Sequence, residues 1–476
     1  MEAKMKMGLV YPGKKSEEKQ IPLGLAYIAS YLLQDNKDLA IKVLDTGVAS
    51  TKESNRFLTE RFDVVGFSVT SRSYREAVSI ATTLRSAHDN VKIVFGGPHA
   101  SIMLAEILAE PAIDFGVYGE GEITSDELVK CLKEAGPRNP TREELEVIDG
   151  LIFRDGTETV VNRSREQIRD LDKLPFPAYS LFPMERYAGK HAMMTSRGCP
   201  FSCAFCASSA IWSKKWRARS AESVIDEVRY VLRTYGYRPI EFHDDTFNSN
   251  LSRVHEICEG FVKGSIKVPW AVRGFRADRV DSRVAGNMRQ ADCVNVALGI
   301  ESANPVMLER MGKKETIDQI SNGIEVLVSA GIDVLGQFMI GNPGETLETV
   351  RESIEFARRS GLTRAVFGMA VPFPKTTLWD YVIEHGKFLV EPDCTRFEDI
   401  SPRIIFETPE FTKEQRLEAA RIATEAGMLV HGVTRRNEFR GIAERTMLNA
   451  MFKYLPRSLS YPSYFLLRKF SSVPTL

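Results

Sequence analysis

Cys199, Cys203 and Cys206 stand in Gly198-Cys199-Pro200-Phe201-Ser202-Cys203-Ala204-Phe205-Cys206, a Cys-x3-Cys-x2-Cys spacing that puts three thiols within eight residues. Three thiolates on one short loop can grip one inorganic centre, and short-loop cysteines are the usual ligands of iron-sulfur clusters. A cubane held by three of them leaves one iron open to a small molecule. Structural zinc wants four closed ligands, commonly in two separated pairs, whereas Cys131, Cys258, Cys293 and Cys394 each stand alone. A disulfide framework does not fit the odd, sparse count of seven cysteines in 476 residues, nor a start at residues 1–11 without signal-peptide character. Thiolates that oxygen degrades point to a reducing, cytoplasmic setting.

The elements that position this loop are read from apolar periodicity. Runs at 7–11, 41–44, 64–69, 93–95 and 115–118 alternate with helical stretches at 23–33, 73–87 and 125–135. Such alternation predicts an α/β domain over residues 1–138, a doubly wound, Rossmann-like parallel sheet with its ligand crevice at the carboxyl ends of the strands. Those ends carry Asp45-Thr46-Gly47, Ser68-Val69-Thr70, Gly96-Gly97-Pro98-His99 and Gly119-Glu120-Gly121-Glu122. Singly each is ordinary turn chemistry, but four on one edge make a crevice. No G-x-G-x-x-G follows the first strand, so a dinucleotide is disfavoured. Residues 139–190 form a connector with a hairpin around Asp155-Gly156 and an extended Leu174-Pro175-Phe176-Pro177.

From 191 to 386 strand and helix alternate again, with strands at 240–243, 294–299, 334–340 and 365–369 and helices at 221–234, 317–329 and 347–359. This predicts a partial (β/α)6 TIM-like barrel whose working face holds Asp244, Glu301 and Asn342. Residues 387–476 read as a small helical region: 414–430 is helical, and 451–470 interleaves aromatic with basic residues, broken by Pro456 and Pro462. That last stretch suits either peripheral membrane contact or packing on the barrel. Basic and acidic residues balance at 63 each, which gives no global field for nucleic acid. No apolar run approaches the roughly 18 to 20 residues that span a bilayer.

Taken in order, Pro22-Leu23-Gly24-Leu25-Ala26-Tyr27-Ile28-Ala29, Gly96-Gly97-Pro98-His99, Gly119-Glu120-Gly121-Glu122, the cysteine triplet, Phe242-His243-Asp244-Asp245-Thr246-Phe247, Gly299-Ile300-Glu301-Ser302 and Gly336-Gln337-Phe338-Met339-Ile340-Gly341-Asn342-Pro343-Gly344-Glu345 resemble the cobalamin-binding class of the radical S-adenosylmethionine superfamily. The resemblance covers residues 7–381. It implies that Cys199, Cys203 and Cys206 bind a [4Fe-4S] cluster whose open iron is chelated by S-adenosylmethionine. One-electron cleavage of the sulfonium then gives a 5'-deoxyadenosyl radical. Phe205 would lie near the adenine, Asp244 or Asp245 would accept from the amino group, and Glu301 would hold the methionine or ribose portion, with Ser302 and Asn342 in the same site. Helix capping or surface pairing is the ordinary alternative for each carboxylate.

For the amino-terminal domain the resemblance implies cobalamin, with Asp45, Ser68, Thr70, Gly96, Gly97 and Glu120 along its edge. Where many cobalamin folds have Asp-x-His-x-x-Gly, this chain has Asp45-Thr46-Gly47-Val48-Ala49-Ser50, so no imidazole is offered to cobalt there. The radical class shares this departure. A domain that kept the fold and lost the corrinoid is the alternative. The activity implied is C-methylation of an unactivated carbon in a small molecule, lipid and tetrapyrrole among the classes, with a flavodoxin or ferredoxin as electron donor. A radical cyclase or rearrangement enzyme, and a non-catalytic redox sensor, stay open. Methylthiotransferases carry further amino-terminal cluster cysteines, and here there is only Cys131.

Overall fold

Residues 5–13, 20–187, 189–397, 400 and 402–431 are described by a computed structural model. The first sheet comprises β1 (Lys6–Tyr11), β2 (Ala40–Asp45), β3 (Val64–Ser68), β4 (Lys92–Gly96), β5 (Phe115–Val117), β6 (Leu151–Asp155) and β7 (Glu158–Val161), in spatial order 2-1-3-4-5-6-7. β1 to β5 pair in parallel, and the hairpin β6–β7 adds to β5 antiparallel. In an order of 2-1-3-4-5 the winding reverses between β1 and β3, and ligands bind outside the carboxyl ends at such a switch point. Helices cover both faces, so the strands read as near-continuous apolar runs such as Val64-Val65-Gly66-Phe67. The helix Thr51–Thr59 was not legible in the sequence because only Phe57 of it is buried; its start is set by a Ser50–Glu53 capping box.

The second sheet is built from β8 (His191–Met193), β11 (Ile240–Phe242), β12 (Trp270–Phe275), β13 (Cys293–Glu301), β14 (Asp333–Ile340), β15 (Arg364–Met369) and β18 (Leu429–His431), all parallel and in sequential order. Sequential parallel strands with intervening helices are the expected partial barrel, here with one strand more, β18, drawn from beyond residue 386. Helix Lys413–Glu425 leads into it, so the carboxyl-terminal stretch read as helical through 430 ends in a strand instead. β12 escaped periodicity because Arg273 and Gly274 interrupt its apolar run. Two short ribbons complete the strands: β9 (Ser196–Arg197) with β10 (Arg217–Ala218), and β16 (Lys387–Phe388) with β17 (Phe406–Glu407).

The connector is part of the core. Leu171, Leu174, Tyr179, Phe182, Met184 and Tyr187 are buried in the cluster that also holds Leu25, Ala26 and Ala29 of the helix Leu23–Asp35 and Val224, Val228 and Val231 of the helix Ala221–Tyr235. One face of the first sheet is thereby packed onto the barrel through the connector. The opposite face closes over its own cluster around Phe67, Phe95 and Phe57. No helix of the described residues is long and apolar enough to cross a membrane. The aromatic and basic stretch 451–470 lies outside the described residues.

Candidate active site

The cysteine loop springs from the ribbon β9–β10, in which Arg197 and Arg217 are registered opposite one another. Gly198 opens the loop at φ +82°, and a Cβ there would sit 2.0 Å from the Lys215 carbonyl oxygen, so only glycine fits. Barrel backbone fixes the far side: Ala204 N–H donates to the Met311 carbonyl at 2.9 Å and the Ala204 carbonyl accepts from Leu378 N–H at 2.8 Å. Between them Phe201 lies under the Arg276 guanidinium, 3.7 Å from carbon to ring centroid, a cation–π contact that ties the loop to the end of β12. The three cysteines are half-buried. Thr246 donates its hydroxyl to Cys199 Sγ at 3.0 Å and Ser208 its N–H to Cys206 Sγ at 3.4 Å.

Charged side chains ring the loop. Lys313, 5% exposed, lies 2.9 Å from Glu315. Burial works against its ammonium, but Glu301, Glu315 and Cys203 outweigh that and push its pKa up. Glu301 closes β13 at φ +68°, a left-handed conformation that costs a non-glycine residue roughly 1–2 kcal/mol. Strain of this kind gathers where a side chain must be aimed. Burial raises the Glu301 carboxyl pKa, Lys313 opposing. Asp245 is exposed beside the loop and accepts from the Ser208 hydroxyl at 3.3 Å. Without a metal, burial pushes the Cys206 thiol up to about 11. Three thiols on a glycine-turned loop, with donors aimed at two sulfurs and an ammonium near the third, fit a [4Fe-4S] cluster whose thiolates need compensating charge.

The remaining residues expected around S-adenosylmethionine separate into those that face the site and those that hold the scaffold. Of the aspartate pair, Asp244 is occupied: its carboxylate accepts from Thr195 N–H at 2.7 Å and from the Thr195 and Ser196 hydroxyls at 2.5 Å each. It fixes the entry to the cysteine loop and leaves Asp245 as the available acceptor. Ser302 is fully buried, and its hydroxyl meets Ser353 of the helix Leu347–Arg359 at 3.3 Å, away from the cysteine loop. Asn342 is buried in a turn whose Gly341 and Asn342 amides donate to Glu345. Phe205 bridges the main core and a cluster containing Ala370, Leu378 and Phe397. Inside the barrel, Glu241 is met by Lys190 at 2.9 Å, His243 at 2.8 Å, Gln20 at 3.0 Å and Arg273 at 3.1 Å. Lys313, Glu315, Arg276 and Glu241 were missed because a charged residue in sequence reads as surface, whereas the fold buries all four.

At the amino-terminal edge, Ser68, Thr70, Gly96 and Gly97 come together across the ends of β3 and β4, where Ser68 is in register with Gly96. Gly97 at φ +91° would place a Cβ 2.9 Å from the Val69 nitrogen. Small residues and backbone at the carboxyl ends of strands beside the switch point fit a broad, flat ligand such as a corrinoid. Two carboxylates expected here point elsewhere. Asp45 accepts from Gly47 N–H and from the Tyr187 hydroxyl, each at 2.9 Å, which ties β2 to the connector. Glu120 accepts from Arg197 at 2.7 Å, from Arg217 at 2.8 Å and from Ile168 N–H at 2.7 Å. His99, 2% exposed, pairs with Ser71 at 3.0 Å and lies against the Tyr74 ring at a tilt, and burial lowers its pKa to about 4.

The helix Pro98–Met103 beyond β4 touches the helix Ser208–Trp212 that follows the third cysteine. The edge of the first sheet and the mouth of the barrel therefore border one space. Residues 193–357 match the model of the Radical SAM superfamily and residues 13–129 that of the B12 binding domain. An uncharacterized methyltransferase of Pyrococcus horikoshii is 34% identical over 426 residues, 86% of this chain and 90% of that protein. The chain belongs to the cobalamin-binding class of the radical S-adenosylmethionine superfamily. An anaerobic magnesium-protoporphyrin IX monomethyl ester cyclase of Rubrivivax gelatinosus is 25% identical, covering 84% of this chain and 73% of its own. Among solved structures, the radical S-adenosylmethionine methyltransferase TsrM from Kitasatospora setae, with cobalamin and a [4Fe-4S] cluster bound, shares the fold at a TM-score of 0.68, with 19% identity and 81% of each chain covered.

Proposed function

We propose that this radical S-adenosylmethionine enzyme is a cobalamin-dependent C-methyltransferase acting on an unactivated carbon of a small molecule. The observation that carries the reading is the shared border: the helix behind the corrinoid edge rests on the helix behind the cluster loop. With its cluster and S-adenosylmethionine bound, such a site supplies a deoxyadenosyl radical for hydrogen abstraction, and a corrinoid supplies the methyl group. Cys199, Cys203 and Cys206 hold the cluster. Asp245 accepts from the amino group of S-adenosylmethionine, and Glu301, aimed by its strained backbone, takes a second polar group of the same molecule. Lys313 balances the negative charge that gathers beside Cys203. Gly96, Gly97, Ser68 and Thr70 form the corrinoid floor.

The cluster takes its electron from an external carrier of the flavodoxin or ferredoxin kind, in a reducing cytoplasm. Anaerobic reconstitution of the full chain with iron, sulfide and cobalamin, followed by S-adenosylmethionine and a low-potential one-electron reductant, tests the reading. S-adenosylhomocysteine formed in step with bound cobalamin, together with deoxyadenosine, is the expected result. Deoxyadenosine without S-adenosylhomocysteine overturns methyl transfer in favour of the cyclisation chemistry of the Rubrivivax relative. Glu301→Gln should lower deoxyadenosine formation at least tenfold; a sensor would form none to lose.

A further inference from the structure

Glu120 and Glu122 flank the start of the helix Gly121–Ala135, at the carboxyl end of β5 in the first sheet. Both are buried, and both are bound by arginines of the other domain. Arg197 spans the two, its Nη1 donating to Glu120 at 2.7 Å and its Nη2 to Glu122 at 2.6 Å. Arg217 donates through Nη1 to the second oxygen of Glu120 at 2.8 Å and to the Ile168 carbonyl at 2.6 Å. Tyr27, from the first helix, lies against the Arg197 guanidinium at 5.1 Å. Two carboxylates and two guanidiniums make a buried, charge-balanced network. Its arginines are the paired residues of the ribbon whose two strands bracket the cysteine loop.

A buried ion network is a weak source of stability, because apolar residues of similar volume commonly do as well or better. What forked arginine–carboxylate bonds supply is direction: donors in a rigid plane fix the angle as well as the distance of their acceptors. Only Gly198 separates Arg197 from Cys199, so the fixed plane reaches the first cluster ligand with one residue between. On the other side, Glu120 and Glu122 are the turn that ends β5, on the edge where Gly96 and Gly97 form the corrinoid floor. We infer that Arg197, Arg217, Glu120 and Glu122 are positioning residues that set the separation and tilt between corrinoid and cluster. This rests on the cobalamin-dependent reading above.

Magnetic resonance tests it without turnover. The full chain, reconstituted anaerobically with iron, sulfide and cobalamin and then reduced, carries unpaired electrons on cob(II)alamin and on the cluster, and their dipolar splitting reports their separation. Wild-type protein should show one narrow splitting. E122Q and R197K should keep full iron and cobalamin content while the splitting broadens at least twofold or divides into two. If E122Q does not fold, the double variant E122Q/R197Q, which removes opposite charges together, is measured instead. An unchanged splitting in a fully loaded variant overturns the inference and leaves the methyltransferase reading intact. Wild-type protein that takes up the cluster and no cobalamin overturns both.

Discussion

The barrel and the amino-terminal sheet turn the carboxyl ends of parallel strands toward one space, yet one edge is lined with charge and the other with small residues. At the barrel mouth Lys313, Glu315, Glu301, Asp245 and Arg276 surround three thiols. Along the first sheet, Ser68, Thr70, Gly96 and Gly97 present hydroxyls and backbone, and the carboxylates Asp45 and Glu120 are bound by Tyr187 and by arginines. The difference follows from what each edge must hold. A small anionic cluster and a zwitterion need side chains of matching charge, whereas a wide macrocycle is held by shape and close backbone approach.

The largest break in this comparison comes from Gly198. An alanine there meets the Lys215 carbonyl at 2.0 Å and forces a left-handed residue, so G198A should lose about 2–5 kcal/mol locally from overpacking and backbone strain. The loop must then shift, and the cysteines with it. Expected are iron and sulfide below about a tenth of wild type and loss of deoxyadenosine formation by roughly a thousandfold, the scale of several kcal/mol. Cobalamin uptake should persist, because Ser68, Thr70, Gly96 and Gly97 sit on strand ends of the other sheet and not on the displaced loop. Iron, sulfide and cobalamin content of one preparation decide it; if both cofactors vanish together, the two edges are not independent.

His99 tests the other edge. Its imidazole is buried neutral, with a folded pKa of about 4 against an ordinary value near 6.5. Between those values the unfolded chain holds the extra proton, so stability is full above about pH 6.5 and is lost as pH falls toward 4. The total is about 3 kcal/mol at 1.36 kcal/mol per unit. Denaturant unfolding of wild type and H99N across this range should differ in slope, the variant being flatter by that amount. Equal slopes would mean that His99 is charged in the folded chain and its pairing with Ser71 is not what the geometry indicates.

How much of this was open to the sequence follows the same division. The cysteine triplet is legible because its spacing alone does chemistry, and the two sheets are legible because strands covered on both faces leave apolar runs. Glu301 is legible from its place at a strand end. Asp45 and Glu120 also end strands, and nothing local to them announces that Tyr187 or Arg197 will take their oxygens. Those partners are 142 and 77 residues away. Lys313 and Arg276 are likewise silent, since a charged residue in sequence reads as surface until tertiary contacts bury it. β12 failed for a related reason: Arg273 points into the barrel, which a polar interior permits and an apolar pattern does not reveal.

The smallest expected effect separates charge from shape at the barrel edge itself. Thr246 donates its hydroxyl to Cys199 Sγ at 3.0 Å, while its carbonyl accepts from the Trp216 indole at 3.0 Å and its backbone leads into Phe247 of the core. Thr246→Val keeps the backbone and the volume and removes only the hydroxyl donor. Hydrogen bonds to cluster sulfurs stabilise the more negative, reduced state, so the variant's midpoint potential should fall. A hydrogen bond of about 1 kcal/mol corresponds to about 40 mV on a one-electron couple. Potentiometric titration of the reconstituted cluster measures the shift, with cobalamin content as the control. A fall near that size with unchanged cobalamin shows that side-chain donors tune the barrel edge one at a time; no shift would mean that the cluster's potential is set by buried charges such as Lys313, and the next substitution belongs there.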